Sequence, residues 1–153
     1  MRIALFQPDI PQNTGAILRL GACLNLNIDI IGPAGFVIAD ARLKRAGLDY
    51  AARAALREHD SWDAFLQTLG PDARLLLLTT KGSTDFRDVD YKPNDILLMG
   101  RESAGVPDFV HDRADLRITI PLAEGNRSLN VAMTAAMVTS EALRQTDGFP
   151  KNS

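Results

Sequence analysis

Three short stretches of this sequence combine residue types that could do chemistry. The first is QPDIPQNTG (Gln7–Gly15), followed by Arg19. Two prolines stiffen it, and Gly15 allows close approach of another backbone or a ligand. Asn13 is placed to cap a helix running Thr14–Leu24. Asn13 and Arg19 lie nearly two helical turns apart, so the two polar side chains can extend one surface; taken alone, the stretch reads as a capped helix with an exposed arginine. The second is LLMGRESAGVP (Leu97–Pro107), where an apolar run enters a loop with two glycines and the carboxylate Glu102. Pro107 is expected to open a helix at its first position. Backbone amides freed by glycines can hold an adenine edge or a carboxylate. The spacing is neither GxGxxG nor a phosphate loop, because no Lys-Ser/Thr pair follows the second glycine. The third is ITIPLAEGNRSLN (Ile118–Asn130), an apolar run halted by Pro121, then a polar loop in which Ser128 is the expected cap of the last helix.

These stretches need elements to position them. Strands are predicted at Arg2–Phe6, Asn27–Ile31, Ala73–Thr79, Ile96–Met99 and Leu116–Ile120, each an apolar burst bounded by turn residues. Ser61 is expected to cap a helix over Ser61–Leu69 that ends at Gly70-Pro71, and the last helix is expected from Ser128 to Gln145. Asp49–His59 reads as helical by its alanines, with room for a short strand at Ala55–His59. Alternation of strands and helices implies an α/β fold with a mostly parallel, doubly wound sheet, whose ligands bind at the carboxyl ends of the strands. The run VAMTAAMVTSEAL is apolar or small almost all round and needs cover on more than one face, from the core or from a second subunit. One domain over residues 1–147 is expected, with a frayed tail at 148–153.

Composition narrows the function classes. The chain has 153 residues, 46% hydrophobic and 24% charged, the balance of a globular domain. No apolar run approaches the roughly 20 residues of a membrane span, and MRIALFQPD does not read as a signal peptide. The single cysteine, Cys23, cannot close an internal disulfide, which suits a reducing cytoplasm, and its apolar neighbours suggest a core position. His59 and His111 have no partners at metal-ligand spacing, so no metal is expected, and each reads as a surface or helix-end residue. No GxSxG elbow is present. Net charge is −2, too low for attraction of a polyanion by the whole surface, yet 13 of the 17 basic residues are arginine, suited to phosphate. Arg42, Lys44 and Arg45, with Arg53 and Arg57 beyond, form the densest basic cluster. It reads either as a solvated face or as a local phosphate-binding patch.

Taken together and in order, NTGAILR, LLMGRESAGVP and ITIPLAEGNRSLNVA resemble the three motifs of the SPOUT methyltransferases, in the TrmH-like branch and nearest the small TrmL-type (YibK-type) tRNA 2′-O-methyltransferases. RLKRAGLDYAA and LTTKG are similar to the same subgroup, and the resemblance spans nearly the whole chain. It implies an α/β fold with a C-terminal trefoil knot, S-adenosylmethionine as cofactor, a homodimer and tRNA as partner. The implied reaction moves a methyl group to the ribose 2′-hydroxyl of the wobble nucleotide, a cytidine or modified uridine. By similarity, cofactor contacts fall on Leu78, Gly100, Ile120, Leu122, Ser128 and Leu129, catalytic roles on Arg19, Asn13, Glu102 and Asn130, and tRNA contacts on Arg42, Lys44 and Arg45. In that assignment Arg19 orients the hydroxyl and its phosphate, Glu102 organises Arg19, and the two asparagines fix geometry. Departures occur at Gln7, Arg101, Ala132 and Thr134, which bear on the choice of tRNA. A non-catalytic RNA-binding protein of the same fold is the alternative that the resemblance leaves open.

Overall fold

The computed structural model describes residues 1–36 and 55–152. Numbered in chain order, the described elements are β1 (Arg2–Phe6), α1 (Pro11–Leu24), β2 (Asn27–Ile31), β3 (Leu56–His59), α2 (Trp62–Leu66), β4 (Leu75–Leu78), β5 (Thr84–Asp85), β6 (Ile96–Met99), α3 (Asp108–Arg113), β7 (Leu116–Thr119) and α4 (Val131–Thr146). Seven strands form one sheet in the order β3-β2-β1-β6-β4-β7-β5, and every pairing is parallel.

Strand composition explains the layers. The four leucines of β4 are all buried, as expected of a strand covered on both faces. Side chains alternate: Ile3, Leu76, Leu78, Leu97 and Met99 join one apolar cluster with Ile17 and Leu18 of α1 and Ala135, Val138 and Leu143 of α4. Ala4, Phe6, Leu75, Leu77, Ile96 and Leu98 join the other, with Trp62 and Phe65 of α2 and Val110 of α3. The result is three layers, with α1 and α4 on one face and α2 and α3 on the other. No helix among the described residues is long and apolar enough to cross a membrane.

Several local expectations shift. Helix α1 begins at Pro11, not Thr14: its cap Ile10 makes no side-chain bond, and Asn13 lies inside the first turn. Pro11 needs no amide partner there, so the helix starts without a polar cap. Ser61 does cap α2, its Oγ accepting from the Ala64 amide at 3.1 Å, although the helix is only five residues long. Pro107 is the residue before α3, not its first. The strand reading of Ala55–His59 holds as β3, while residues 37–54 lie outside the described residues.

Two single residues are placed differently from expectation. Cys23 is exposed rather than in the core. His59 is buried, with Nε2 2.7 Å from Asp29 Oδ1, and Asp29 Oδ2 also accepts Arg2 Nε at 2.8 Å. Parallel pairing sets Ile31 beside His59 and Asp29 beside Arg57, so Asp29 and His59 project from the same face, one pleat apart. The buried aspartate is thus satisfied by strand partners far off in sequence.

Candidate functional site

A cavity of about 500 Å³ opens at the carboxyl ends of β4, β6 and β7. That is where a parallel sheet presents its binding loops, and the size suits a small organic cofactor. All three chemistry-bearing stretches reach it: Ile10 and Asn13 from the first, residues 100–106 from the second, and Ile120, Leu122 and residues 128–131 from the third.

All six expected cofactor contacts, Leu78, Gly100, Ile120, Leu122, Ser128 and Leu129, line this cavity, as do Asn13, Glu102 and Asn130. Arg19 is not among the lining residues; it is exposed on α1, about 9 Å farther along the axis than Asn13 and roughly 120° around it. Arg42, Lys44 and Arg45 lie outside the described residues.

The second loop is held by its glycines. Arg101 and Gly105 exchange backbone hydrogen bonds of 2.9 Å in both directions, closing the loop on itself. Gly105 has φ +63°, which an L side chain rarely adopts, and a Cβ on Gly100 would come within 2.9 Å of the Gly105 carbonyl carbon. The apolar side chains of Leu78, Ile120, Leu122 and Leu129 line the same cavity as this loop. They make walls for a flat ring, while the adjoining backbone can read its edge.

The third loop delivers Asn130, not Ser128, as the cap of α4. Asn130 Oδ1 accepts from the amides of Ala132 at 2.8 Å and Met133 at 3.3 Å. Its Nδ2 donates to Asn13 Oδ1 at 3.0 Å. One side chain therefore starts α4 and ties it to the first turn of α1. Ser128 stays free for the cavity wall.

Glu102 is anchored to the first loop, its Oε2 accepting the Asp9 amide at 2.9 Å. Asp9 Oδ2 in turn accepts from Ser103 Oγ. Burial pushes the Glu102 carboxyl up, and the neighbouring Asp9 carboxyl adds to the effect. Asp9 is held below the usual carboxylate range, chiefly by its hydrogen bond with the Glu102 carboxyl and then by that from Ser103 and the charge of Arg101. Among the described residues no cluster of His, Cys, Asp or Glu could hold a metal.

Some lining residues were not anticipated. Thr79 and Thr80 follow β4 directly, and the rule that ligands sit past strand ends was enough to name them. Thr134 lies one turn beyond Asn130 on α4, a position visible only once the helix start is known. Asp9, which does not line the cavity but bonds to Glu102 and Ser103 that do, had no local signal.

Helix α4 buries Ala135, Val138, Thr139, Ala142 and Leu143 along one face. The opposite face exposes Met133 at 63% and Met137 at 41%, so the core covers only part of its apolar circumference.

The family described as the SpoU rRNA Methylase family matches residues 1–140. A tRNA (cytidine(34)-2′-O)-methyltransferase of Beijerinckia indica is 53% identical over 150 residues, 97% of this chain and 94% of that protein. A solved structure described as "Structural insights into the 2-OH methylation of C/U34 on tRNA" superposes with TM-score 0.90 at 39% identity, covering 94% of both chains. The AdoMet-bound rRNA methyltransferase from Sinorhizobium meliloti superposes with TM-score 0.84 at 26% identity over 94% of this chain and 55% of that one.

Proposed function

Because this chain belongs to the SpoU rRNA Methylase family, we propose that the cavity past β4, β6 and β7 seats S-adenosylmethionine and presents a tRNA ribose to it. The protein is a tRNA 2′-O-methyltransferase acting on the wobble nucleotide 34, a cytidine or uridine. The observation that supports the site reading is that nine residues assigned by the family resemblance line one cavity: six for the cofactor, with Asn13, Glu102 and Asn130 beside them.

The cofactor, when bound, supplies an electrophilic methyl group on a sulfonium. The chain's own work is to hold the 2′-oxygen in line with it, and such positioning supplies much of the rate. Leu78, Ile120, Leu122 and Leu129 would hold the adenine between apolar side chains, and Gly100 and Ser128 would offer backbone and hydroxyl contacts. Asn13 and Asn130 lock the first turn of α1 to the start of α4, which fixes the floor on which the ribose rests. Arg19, exposed on α1, reaches the hydroxyl and its phosphate from the tRNA side. A guanidinium with pKa above ~12 serves there as donor and charge, not as proton acceptor.

The exposed face of α4 with Met133 and Met137 is the surface we assign to the homodimer. The trefoil knot of the SPOUT fold belongs in the C-terminal segment that carries the second and third loops. Arg42, Lys44 and Arg45 are the basic residues we assign to phosphate contacts with tRNA, since a net charge of −2 gives no attraction by the protein as a whole. A reducing cytoplasm is the compartment that fits this substrate and the lone thiol.

The test is mass spectrometry of tRNA nucleosides after incubation with the protein and methyl-labelled S-adenosylmethionine. The label is expected on a ribose of one anticodon nucleoside. Label on a base, or none in tRNA, would overturn the reading.

A further inference from the structure

One buried oxygen of the site has no donor. Asp9 Oδ1 is inaccessible to solvent and makes no hydrogen bond to any N–H or hydroxyl. Oδ2 of the same carboxyl accepts from Ser103 Oγ and lies 4.0 Å from Nη2 of Arg101. The Glu102 carboxyl lies beside that of Asp9, its Oε2 accepting the Asp9 amide at 2.9 Å. Two ionised carboxylates so placed can only accept, and they repel. One proton changes the arrangement. On Glu102 it gives Asp9 Oδ1 the missing donor, and it removes the like-charge repulsion.

We propose that Asp9 and Glu102 hold one proton between them, Glu102 donating to Asp9, as a latch that positions the second loop against the first at the mouth of the methyl-donor cavity. The residues joined are 93 positions apart, one before α1 and one after β6. Both are positioning residues in this role, because the carboxyls are engaged with each other and with the loop backbone. Among the described residues, Arg101 is the charged group facing the pair from the same loop, and it favours the ionised form of Asp9.

The opposite directions of the two groups agree with a proton resting on Glu102: burial raises Glu102, while the Glu102 hydrogen bond lowers Asp9. The sign follows from those directions. Stability contributed by the raised group is present at and below the ordinary glutamate range and is lost as pH rises through its folded value. Stability contributed by the lowered Asp9 is present above the ordinary aspartate range and is lost as pH falls through its folded value. The latch therefore holds between those limits and opens as pH rises past the Glu102 value.

The latch concerns the cavity assigned above to the methyl donor and rests on that assignment, so its test has one arm without ligand. Infrared difference spectra of the full-length, unliganded protein, recorded across a pH series, should show a carboxylic-acid carbonyl band that persists above the ordinary glutamate range. Glu102→Gln and Asp9→Asn should each remove it. In the second arm, calorimetry follows S-adenosylhomocysteine affinity against pH. Wild-type affinity should fall about tenfold as pH rises through latch opening, and Glu102→Gln, whose amide keeps a donor for Asp9 at every pH, should show a flat profile. Glu102→Ala should resemble the opened latch throughout, and the glutamine variant keeps the test valid where the alanine variant does not fold. Absence of the acid band, or the same pH profile in wild type and Glu102→Gln, overturns the proposal. Failure of the wild type to bind S-adenosylhomocysteine at any pH overturns the assignment of the cavity instead, and the ligand-free band still decides where the proton is.

Discussion

Asn130 donates to Asn13 across 117 positions of sequence, at 3.0 Å, while its own carbonyl oxygen caps α4. The same side chain thus starts one helix and fastens it to another, and both asparagines line the cavity. Asn130→Ala should destabilise the protein by about 1–2 kcal/mol, the range for loss of a helix cap. Asn13→Ala removes only the interhelical bond and should cost about 0.5–1.5 kcal/mol. Denaturant titrations of both single variants and the double variant check this, with the double expected to fall short of the sum because the two residues share a bond.

Arg19→Ala should abolish methyl transfer to tRNA and leave S-adenosylhomocysteine affinity near the wild-type value. Arg19 is exposed on α1 and takes no part in the cavity wall that holds the cofactor. Single-turnover methylation and calorimetry on the same preparation decide it; wild-type turnover would remove the assigned role.

A methyl group at position 100 has nowhere to go, since a Cβ there meets the Gly105 carbonyl carbon at 2.9 Å and its Cα at 3.0 Å. Both are backbone atoms, so Gly100→Ala must displace the loop. A cost of about 1–3 kcal/mol is expected, falling on the cofactor site because the loop forms its wall. Calorimetry should show S-adenosylhomocysteine binding weakened by about tenfold or more, with the far-UV spectrum unchanged.

Neighbouring alanines on α4 should separate core from interface. Ala135 is fully buried against the sheet, whereas Ala136 is exposed on the side of α4 that carries Met133 and Met137. Ala135→Glu buries an unpaired charge and should unfold the domain. Ala136→Glu should preserve the fold and shift the mass measured by light scattering from dimer to monomer. A wild-type monomer at micromolar concentration with full activity would remove the dimer assignment.

Replacing Arg42, Lys44 and Arg45 together by alanine should weaken tRNA binding in a salt-dependent manner. The slope of log affinity against log salt should fall by ~0.7 to 0.9 for each phosphate that the variant no longer neutralises, with cofactor affinity unchanged. Equal slopes for variant and wild type would mark these residues as a solvated surface.

What the sequence determined by itself was the part of the fold carried by neighbours in the chain. Runs such as ILLM and LLLL predicted strands because a continuous apolar run needs cover on both faces, and Ser61 marked the start of α2 through a bond that spans three residues. The order and spacing of the three loops carried the family resemblance, and nine of the expected site residues meet at one cavity. Tertiary structure decided the rest. Ser128 and Asn130 are both good caps by residue type, and the bond to Asn13 accompanies the choice of Asn130. His59 carries no local sign of burial, because its partner Asp29 comes from the strand beside it. Asp9 and Glu102 are unremarkable acids until the sheet sets the ends of β1 and β6 side by side, where parallel pairing of Leu5 with Met99 brings their loops together. Local propensity is summed over a few bonds along the chain, whereas burial, like-charge repulsion and shared protons depend on distances that only the assembled sheet sets.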